Sequence, residues 1–331
     1  MRVLIVSRYK TSLVNHQLPF VTEQGEALRA LGCEVEYFPI SGNYIRAVRP
    51  LKTKIREFHP DIIHAHYGLS AITAELQSMV PVVTTFHNGE TLSPFVNFVS
   101  SLMSLRAKHV IYVAQHIRDL CYFKPPHYSI LPCGVPLEQM LITPYEQARK
   151  QLGWSADKKY ILFGGAFSNE RKNYALLRDA VSRLKAQSPI TNHQSPIWDI
   201  ICVEMKGLSR AECVLRMCAC DLFALPSHSE GSPQALKEAM AVNCPCLATD
   251  IADVRVLFGD EPGHFVLRNP RKTHERWEAD EKSIDEMTDL LRTALSFEGR
   301  THGRERIINL ALTNDQVALR LLQIYTQVLK L

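Results

Sequence analysis

Short apolar runs alternate with amphipathic stretches along most of the chain. Residues 2–7 form a block of Val, Leu and Ile between polar neighbours, which predicts a buried parallel strand. Residues 21–31 carry helical periodicity and stop at Gly32, a natural C-terminal signal. Residues 33–40 read as a second strand, Ser41-Gly42-Asn43 as a turn, and residues 50–58 as a basic helix. Strands follow at 61–65 and 81–86, with a helix at 69–79 between them. This order, with crossovers about ten residues long, is the grammar of a doubly wound α/β sheet.

Residues 97–105 are apolar with serines interleaved and predict another helix. Ordinary packing is one reading of it, and a surface for a lipid-linked molecule is the other. Strands are expected at 109–113 and 128–131. Thr143-Pro144-Tyr145-Glu146 then combines an N-cap threonine, a proline at the first helical position and a glutamate three after the cap, so a helix should start there. The second half repeats the pattern. Strands are expected at 159–163, 198–204, 222–226 and 244–249, with helices at 173–185, 209–218 and 233–241. Residues 188–196 and 268–281 read as loops, and residues 283–295 and 315–331 as amphipathic helices. The fold class expected is α/β, two Rossmann-like domains facing each other across a cleft. Their bounds are 1–145 and 146–314, with a C-terminal helix at 315–331 that returns to the first domain.

Composition narrows the picture. At 331 residues and 46% hydrophobic, the chain is too apolar for disorder and long enough for two cores. A formal net charge of +4 falls short of a nucleic-acid footprint but tolerates an anionic ligand. Nine cysteines without framework spacing argue against a secreted disulfide scaffold. The first residues read as a strand rather than a leader, and no window approaches 18 apolar residues. The cytoplasm, including the inner face of the plasma membrane, is the compartment expected. Lys52, Lys54 and Arg56 form either a peripheral membrane contact or a solvated helix face.

Two segments carry candidate chemistry. The first is Leu225-Pro226-Ser227-His228-Ser229-Glu230-Gly231-Ser232-Pro233, followed by a helix bearing Glu238. Gly231 permits close backbone approach, Ser232 suits an N-cap and Pro233 the first helical position. Glu238 sits among Ala235, Leu236, Ala239 and Met240, where a carboxylate needs partners, and vicinal hydroxyls fit because each oxygen accepts a bond. The second is Gly164-Gly165, with Arg171 and Lys172 just beyond, a glycine-rich strand end followed by cations that suits a diphosphate. His87 follows a predicted strand and should sit at its end. His64 and His66 share one strand face, without a third ligand at metal-binding spacing. Asn15 and His16 follow the first strand.

The first segment resembles the donor-binding motif of the retaining glycosyltransferases of family 4, which have the two-Rossmann-domain GT-B fold. The motif stands here on Pro226, Ser227, Glu230, Gly231, Pro233, Glu238, Ala239 and Met240. The resemblance extends to residues 32–35, the turn at 131–135 and Ile324-Tyr325. It implies a hexosyltransferase that moves a sugar from a UDP-, GDP- or similar nucleotide sugar to a glycan or lipid-linked oligosaccharide. Such a reaction belongs to surface polysaccharide biosynthesis and uses neither cofactor nor metal. It further implies that residues 1–145 are the acceptor side and 146–314 the donor side. Glu230 would contact the donor sugar and Glu238 the ribose. Gly231, Ser232 and Pro233 would line the sugar and distal phosphate, with Gly165 nearby and Gly207 and Leu208 in the region of the base. Lys172, with Arg171, would meet the diphosphate; Glu230 and His87 complete the catalytic set. Asn15, His16 and His87 would face the acceptor. The chain departs from the pattern in four places: Ala166-Phe167 stand where it has an arginine, Cys133 where it has asparagine, residues 188–208 are short by one strand-helix unit, and the loop of Asn15 and His16 lacks a glycine pair. A nucleotide-sugar epimerase and a non-catalytic sugar-nucleotide-binding protein are the alternatives. A dinucleotide oxidoreductase lacks its glycine fingerprint after Val6.

Overall fold

The structure, a computed structural model, describes residues 1–8, 18–187, 199–269 and 280–330. The chain divides into two compact units. Unit 1 comprises residues 1–136 and the C-terminal residues from Ala311, and unit 2 runs from Leu137 to Leu310.

In unit 1 the elements are β1 (Arg2–Arg8), α1 (Pro19–Ala30), β2 (Glu34–Ile40), α2 (Val48–Phe58), β3 (Ile62–His66) and α3 (Gly68–Glu75). Then come β4 (Val82–Phe86), α4 (Pro94–Ser104), β5 (His109–Tyr112), α5 (Gln115–Leu120) and β6 (Tyr128–Ile130). Unit 2 contains α6 (Tyr145–Leu152), β7 (Lys158–Phe163), α7 (Tyr174–Ala186), β8 (Asp199–Glu204), α8 (Arg210–Ala219) and β9 (Leu222–Leu225). It continues with α9 (Gln234–Ala241), β10 (Cys246–Thr249), α10 (Val254–Phe258), β11 (His264–Leu267), α11 (Glu281–Leu295) and α12 (Gly303–Asn309). The last helix, α13 (Asn314–Lys330), belongs to unit 1.

Both sheets are parallel and share one topology. Unit 1 has the order β2-β1-β3-β4-β5-β6, and unit 2, read from β8, has β8-β7-β9-β10-β11. In each, the second strand lies on one side of the first and the later strands on the other. The chain reverses direction across the sheet at β1/β3 and at β7/β9, the switch points where loops diverge and ligands bind. The central strands β3, β4, β9 and β10 are buried throughout, whereas the edge strand β6 leaves Tyr128 and Ile130 exposed. In unit 1 one face packs on α1 and α13 through Val3, Ile5, Leu28, Val317, Leu321 and Tyr325. The other packs on α2 and α3 through Leu4, Val6, Leu51, Ile55 and Ala74. In unit 2, α7 and α11 cover one face through Leu176, Leu177, Ala180, Met287 and Leu291.

Several expectations need correction. The chain leaves unit 1 at Pro136, not at residue 145, because residues 137–141 are tied to unit 2. Arg304 donates to the carbonyls of Met140 (2.8 Å) and Leu137 (3.2 Å). It returns at Ala311 rather than 315. The Val135 amide donates to the Leu312 carbonyl at 2.8 Å, and the Asn314 amide to the Val135 carbonyl at 3.0 Å. The expected cap at Thr143 does not form: Pro144 is the N-cap of α6 and no side chain caps it. At the start of α8, Ser209 and Glu212 form a reciprocal capping box. Four short elements, α5, α10, β11 and α12, were not expected; at four to seven residues each they are too short for periodicity to show. Among the described residues, no helix is long and apolar enough to cross a membrane.

Candidate functional site

In unit 2, the parallel strands β7 and β9 are hydrogen-bond neighbours, so the loops leaving their carboxyl ends emerge side by side. The β7 loop can lie close to β9 because Gly164 has no side chain; a Cβ there would sit 2.7 Å from the Phe223 ring and 2.8 Å from Leu225. The loop closes in a 3-10 turn, Glu170–Lys172, and Asn173 adopts left-handed backbone (φ 59°) before α7 begins. That turn aims both cations at the β9 loop.

Lys172 Nζ lies 2.6 Å from Glu230 Oε1, and Arg171 Nη1 lies 3.2 Å from Glu230 Oε2. Arg171 also donates to the Ser229 carbonyl at 2.5 Å, and the His228 amide donates to the Arg171 carbonyl at 3.0 Å. Gly165 lies against the Lys172 stem. Glu230 is buried. Burial would raise its carboxyl pKa, but Lys172 and Arg171 outweigh it and hold the group below the ordinary value, so it stays ionised. Within this triad two cations face one carboxylate, which leaves one positive charge to meet an anionic ligand; Glu170 in the same turn and Glu204, which accepts from the Phe167 amide at 2.8 Å, are the neighbouring acids.

Glu238 lies on α9 and is also buried. Arg210 Nη1, at the start of α8, approaches Glu238 Oε1 at 2.5 Å. Here burial is the larger influence and the carboxyl pKa is raised, with Arg210 opposing. Arg210 escaped the sequence reading because it is distant in the chain and carries no motif. Gly207 and Leu208 sit in the turn between β8 and α8, shortly before Arg210. Ser232 does not cap α9. The cap is Pro233, and the Ser232 hydroxyl instead donates to Asp253 Oδ2 at 2.6 Å, a partner that was also missed. Gly231 and Pro233 occupy the same loop, between Glu230 and α9.

Unit 1 carries a different cluster, built on β3 and the end of β4. His64 and His66 project from the same face of β3 and stack at 4.3 Å; His87 stacks on His66 at 5.3 Å. His64 Nδ1 meets the Tyr325 hydroxyl at 2.6 Å and Nε2 the Thr85 hydroxyl at 2.7 Å. His66 Nδ1 and His87 Nε2 are 3.0 Å apart, and His87 Nδ1 lies 3.8 Å from Cys133 Sγ. His66 Nε2 is buried without a hydrogen-bond partner. Burial holds the His66 pKa down to about 3, and His64 well below the ordinary value, where burial is reinforced by the other two rings. Both are neutral.

Glu90 anchors the turn after His87: its carboxylate accepts from the amides of Gly68 (2.8 Å) and His87 (3.2 Å). Tyr67, in an uncommon positive-φ conformation (φ 69°, ψ 137°), lays its ring 4.7 Å from His87. A bulky residue there is strained, and such strain gathers at ligand sites. The structure thus brings Gly165, Arg171, Lys172 and Glu230 together in unit 2 and places His87 in the unit 1 cluster. Asn15 and His16 lie outside the described residues. Among the described residues, no group of three or more His, Cys, Asp or Glu is arranged to hold a metal ion.

Comparison with known proteins fits this arrangement. Residues 32–139 match the family model Glycosyltransferase Family 4, and residues 205–298 match Glycosyl transferases group 1. The chain is 27% identical over 243 residues to TuaC of Bacillus subtilis, whose name places it in teichuronic acid biosynthesis as a glycosyltransferase; 66% of this chain and 60% of that protein are covered. It is 24% identical over 250 residues to the D-inositol 3-phosphate glycosyltransferase of Kineococcus radiotolerans, covering 62% and 57%. The chain thus spans less than two thirds of the length of these curated relatives. Among solved structures, sucrose-phosphate synthase from Thermosynechococcus elongatus superposes with a TM-score of 0.76 at 17% identity, over 99% of this chain and 98% of that one. HepE of Anabaena, solved with UDP and glucose, gives 0.73 at 14% identity, over 99% and 100%. The fold is that of the two-Rossmann-domain glycosyltransferases.

Proposed function

We propose that the protein is a retaining glycosyltransferase of the hexosyltransferase type. It moves a sugar from a nucleotide diphosphate sugar to a glycan or lipid-linked acceptor in surface polysaccharide biosynthesis. The observation that carries this reading is the Lys172–Glu230–Arg171 cluster at the β7/β9 switch point. Its net positive charge suits a diphosphate, and its carboxylate oxygens suit sugar hydroxyls. The match to the group 1 model over residues 205–298, and the UDP seen in HepE, support a nucleotide sugar as donor. The name of TuaC supports a surface polysaccharide as the destination.

In this reading Lys172 and Arg171 meet the charge that builds on the leaving diphosphate, so no metal ion is required for that task. Glu230 holds donor-sugar hydroxyls while keeping both cations in place. Glu238, steadied by Arg210, takes the ribose hydroxyls, and Gly207 and Leu208 lie toward the base. No protein nucleophile enters: a donor phosphate oxygen takes the acceptor proton as the acceptor attacks on the same face. His87, with Asn15 and His16, serves the acceptor. To contact an acceptor hydroxyl, His87 gives up its long contact with Cys133 rather than its shorter bond to His66.

Calorimetric titration with a panel of UDP-, GDP- and ADP-sugars tests the donor assignment. One nucleotide should bind the wild-type protein and lose affinity in Glu238→Ala. Absence of binding across the panel would remove the basis of the proposal. Tight binding without turnover on any acceptor would favour a non-catalytic binding protein, and free epimerised donor an epimerase.

A further inference from the structure

The surface of α4 inverts the usual helix pattern. Its buried face is polar: Asn97, Ser100, Ser101 and Ser104 turn inward. Their small side chains let α4 approach α3 closely; a Cβ on Gly68 would fall 2.3 Å from Ser100 Cβ. Ser101 and Ser104 satisfy their hydroxyls on backbone carbonyls of the same helix, at 2.6 and 2.7 Å, and Asn97 donates its amide to the Leu120 carbonyl at 2.9 Å, whereas Ser100 Oγ and Asn97 Oδ1 are buried without a hydrogen-bond partner. The apolar side chains are displaced outward as a result. Phe95 is 75% exposed, Phe98 47%, Leu102 43% and Leu105 47%. Their spacing of three, four and three residues places them on one side of the helix. The patch extends beyond α4, because the Phe98 ring contacts Tyr122 at 6.4 Å and Phe123 at 5.6 Å.

Residues 91–105 contain no charge, although much of the stretch is exposed. An exposed helix in water ordinarily carries Lys or Glu on its outer face. Isolated surface hydrophobics need no explanation, but a continuous aromatic and aliphatic stripe does. The charges nearby are mostly of one sign: residues 106–130 hold Arg106, Lys108, Arg118 and Lys124 against Asp119 alone. Arg106, Lys108 and Lys124 are exposed. At 11 residues, α4 is too short to span a bilayer but suits lying in its interface.

We infer that α4, with the basic residues flanking it, docks unit 1 onto an anionic lipid bilayer. Phe95, Phe98, Leu102 and Leu105 enter the boundary between headgroups and acyl chains, while Arg106, Lys108 and Lys124 face lipid phosphates. This is a different surface from Lys52, Lys54 and Arg56 on α2, where Lys54 is already paired with Glu36. The inference does not depend on the donor assignment, because vesicle binding is read without any nucleotide sugar.

The test is co-sedimentation of the full chain with vesicles of phosphatidylcholine alone, or with about one-third phosphatidylglycerol. Wild type should bind the anionic vesicles, with weaker binding in raised salt or on neutral vesicles. The double substitution Phe95→Ser, Phe98→Ser should lower the apparent affinity ~10-fold or more. Arg106→Gln with Lys108→Gln should lower it several-fold and flatten its salt dependence. The phenylalanines are exposed, so melting curves of the serine variant should match wild type; Arg106→Gln with Lys108→Gln removes two cations that act on Glu75, so its folding is compared at pH 5. If a variant does not fold, Leu102→Ser alone serves in its place. Failure of wild type to bind anionic vesicles, or binding unchanged by both double substitutions, would overturn the inference. So would a dimer in sedimentation velocity that the serine substitutions dissociate, which would make the stripe a contact between copies of this chain.

Discussion

The two units share one topology yet build their candidate sites on differently held buried groups. In unit 2, Glu230 is buried with two cations on its oxygens and remains charged. In unit 1, His64 and His66 are buried in a stack and remain neutral, held by hydroxyls and by one another. The carboxyls of Glu238 and Glu75 are both pushed up by burial and differ in their partners: Glu238 has Arg210 at 2.5 Å, whereas Glu75 has a buried oxygen without a hydrogen-bond partner. Under the proposed function, the paired charges of unit 2 suit a reaction whose charge develops on a leaving diphosphate.

The contrast can be broken most forcefully at Lys172. Lys172→Ala removes one cation from the site and leaves Arg171 as the cation paired with Glu230. Under the proposed mechanism kcat should fall by roughly 100-fold or more, because a preorganised charge at the leaving group is lost. Steady-state kinetics with a melting curve checks this, and a normal rate in a folded variant would count against it. Glu238→Ala comes next. It should weaken nucleotide affinity by ~10- to 100-fold, the value of a charge-assisted hydrogen bond, with a smaller change in kcat.

Protonation should test the buried groups of unit 1 from both directions. Burial pushes the Glu75 carboxyl up to about 8, with Arg106 and Lys108 opposing. Its folded form therefore binds a proton that the unfolded form has released. Its contribution to stability is intact below its ordinary pKa, is lost as pH rises toward 8, and does not return above it. Glu75→Gln should stabilise the protein at pH 9 by roughly 1–3 kcal/mol and change little at pH 5. The histidines act in the other direction. His66, held down to about 3, contributes stability that is full above its ordinary pKa and declines as pH falls from there toward 3. Denaturant melts across pH, comparing wild type with Glu75→Gln, read both arms. The smallest effect is expected at His87, whose replacement by Ala should raise the acceptor KM by several-fold while leaving donor affinity unchanged.

Much of this was legible in the chain, for identifiable reasons. The buried parallel strands announce themselves as runs of Val, Ile and Leu, and Gly32 ends its helix as expected because nothing else competes for that turn. The Glu230 loop was readable because strand, glycine and helix start follow one another in sequence. The partners were not. Arg210 and Asp253 reach this segment from 28 and 21 residues away, distances set by sheet topology rather than by any local pattern. Ser232 misled for a related reason: local chemistry favours it as a cap, but Asp253 offers its hydroxyl a charged acceptor. The linkage of His66 to His87 joins β3 to β4, and only strand pairing could reveal it.

The central claim is that the Lys172–Glu230–Arg171 cluster serves sugar transfer from a nucleotide diphosphate donor. Mass analysis of products, after incubation of the full chain with the donor it binds and a lipid-linked acceptor, tests it most directly. The account predicts an acceptor heavier by one sugar residue, with nucleoside diphosphate released in equal amount and both products lost in Lys172→Ala. Equal product from wild type and a folded Lys172→Ala variant would contradict it.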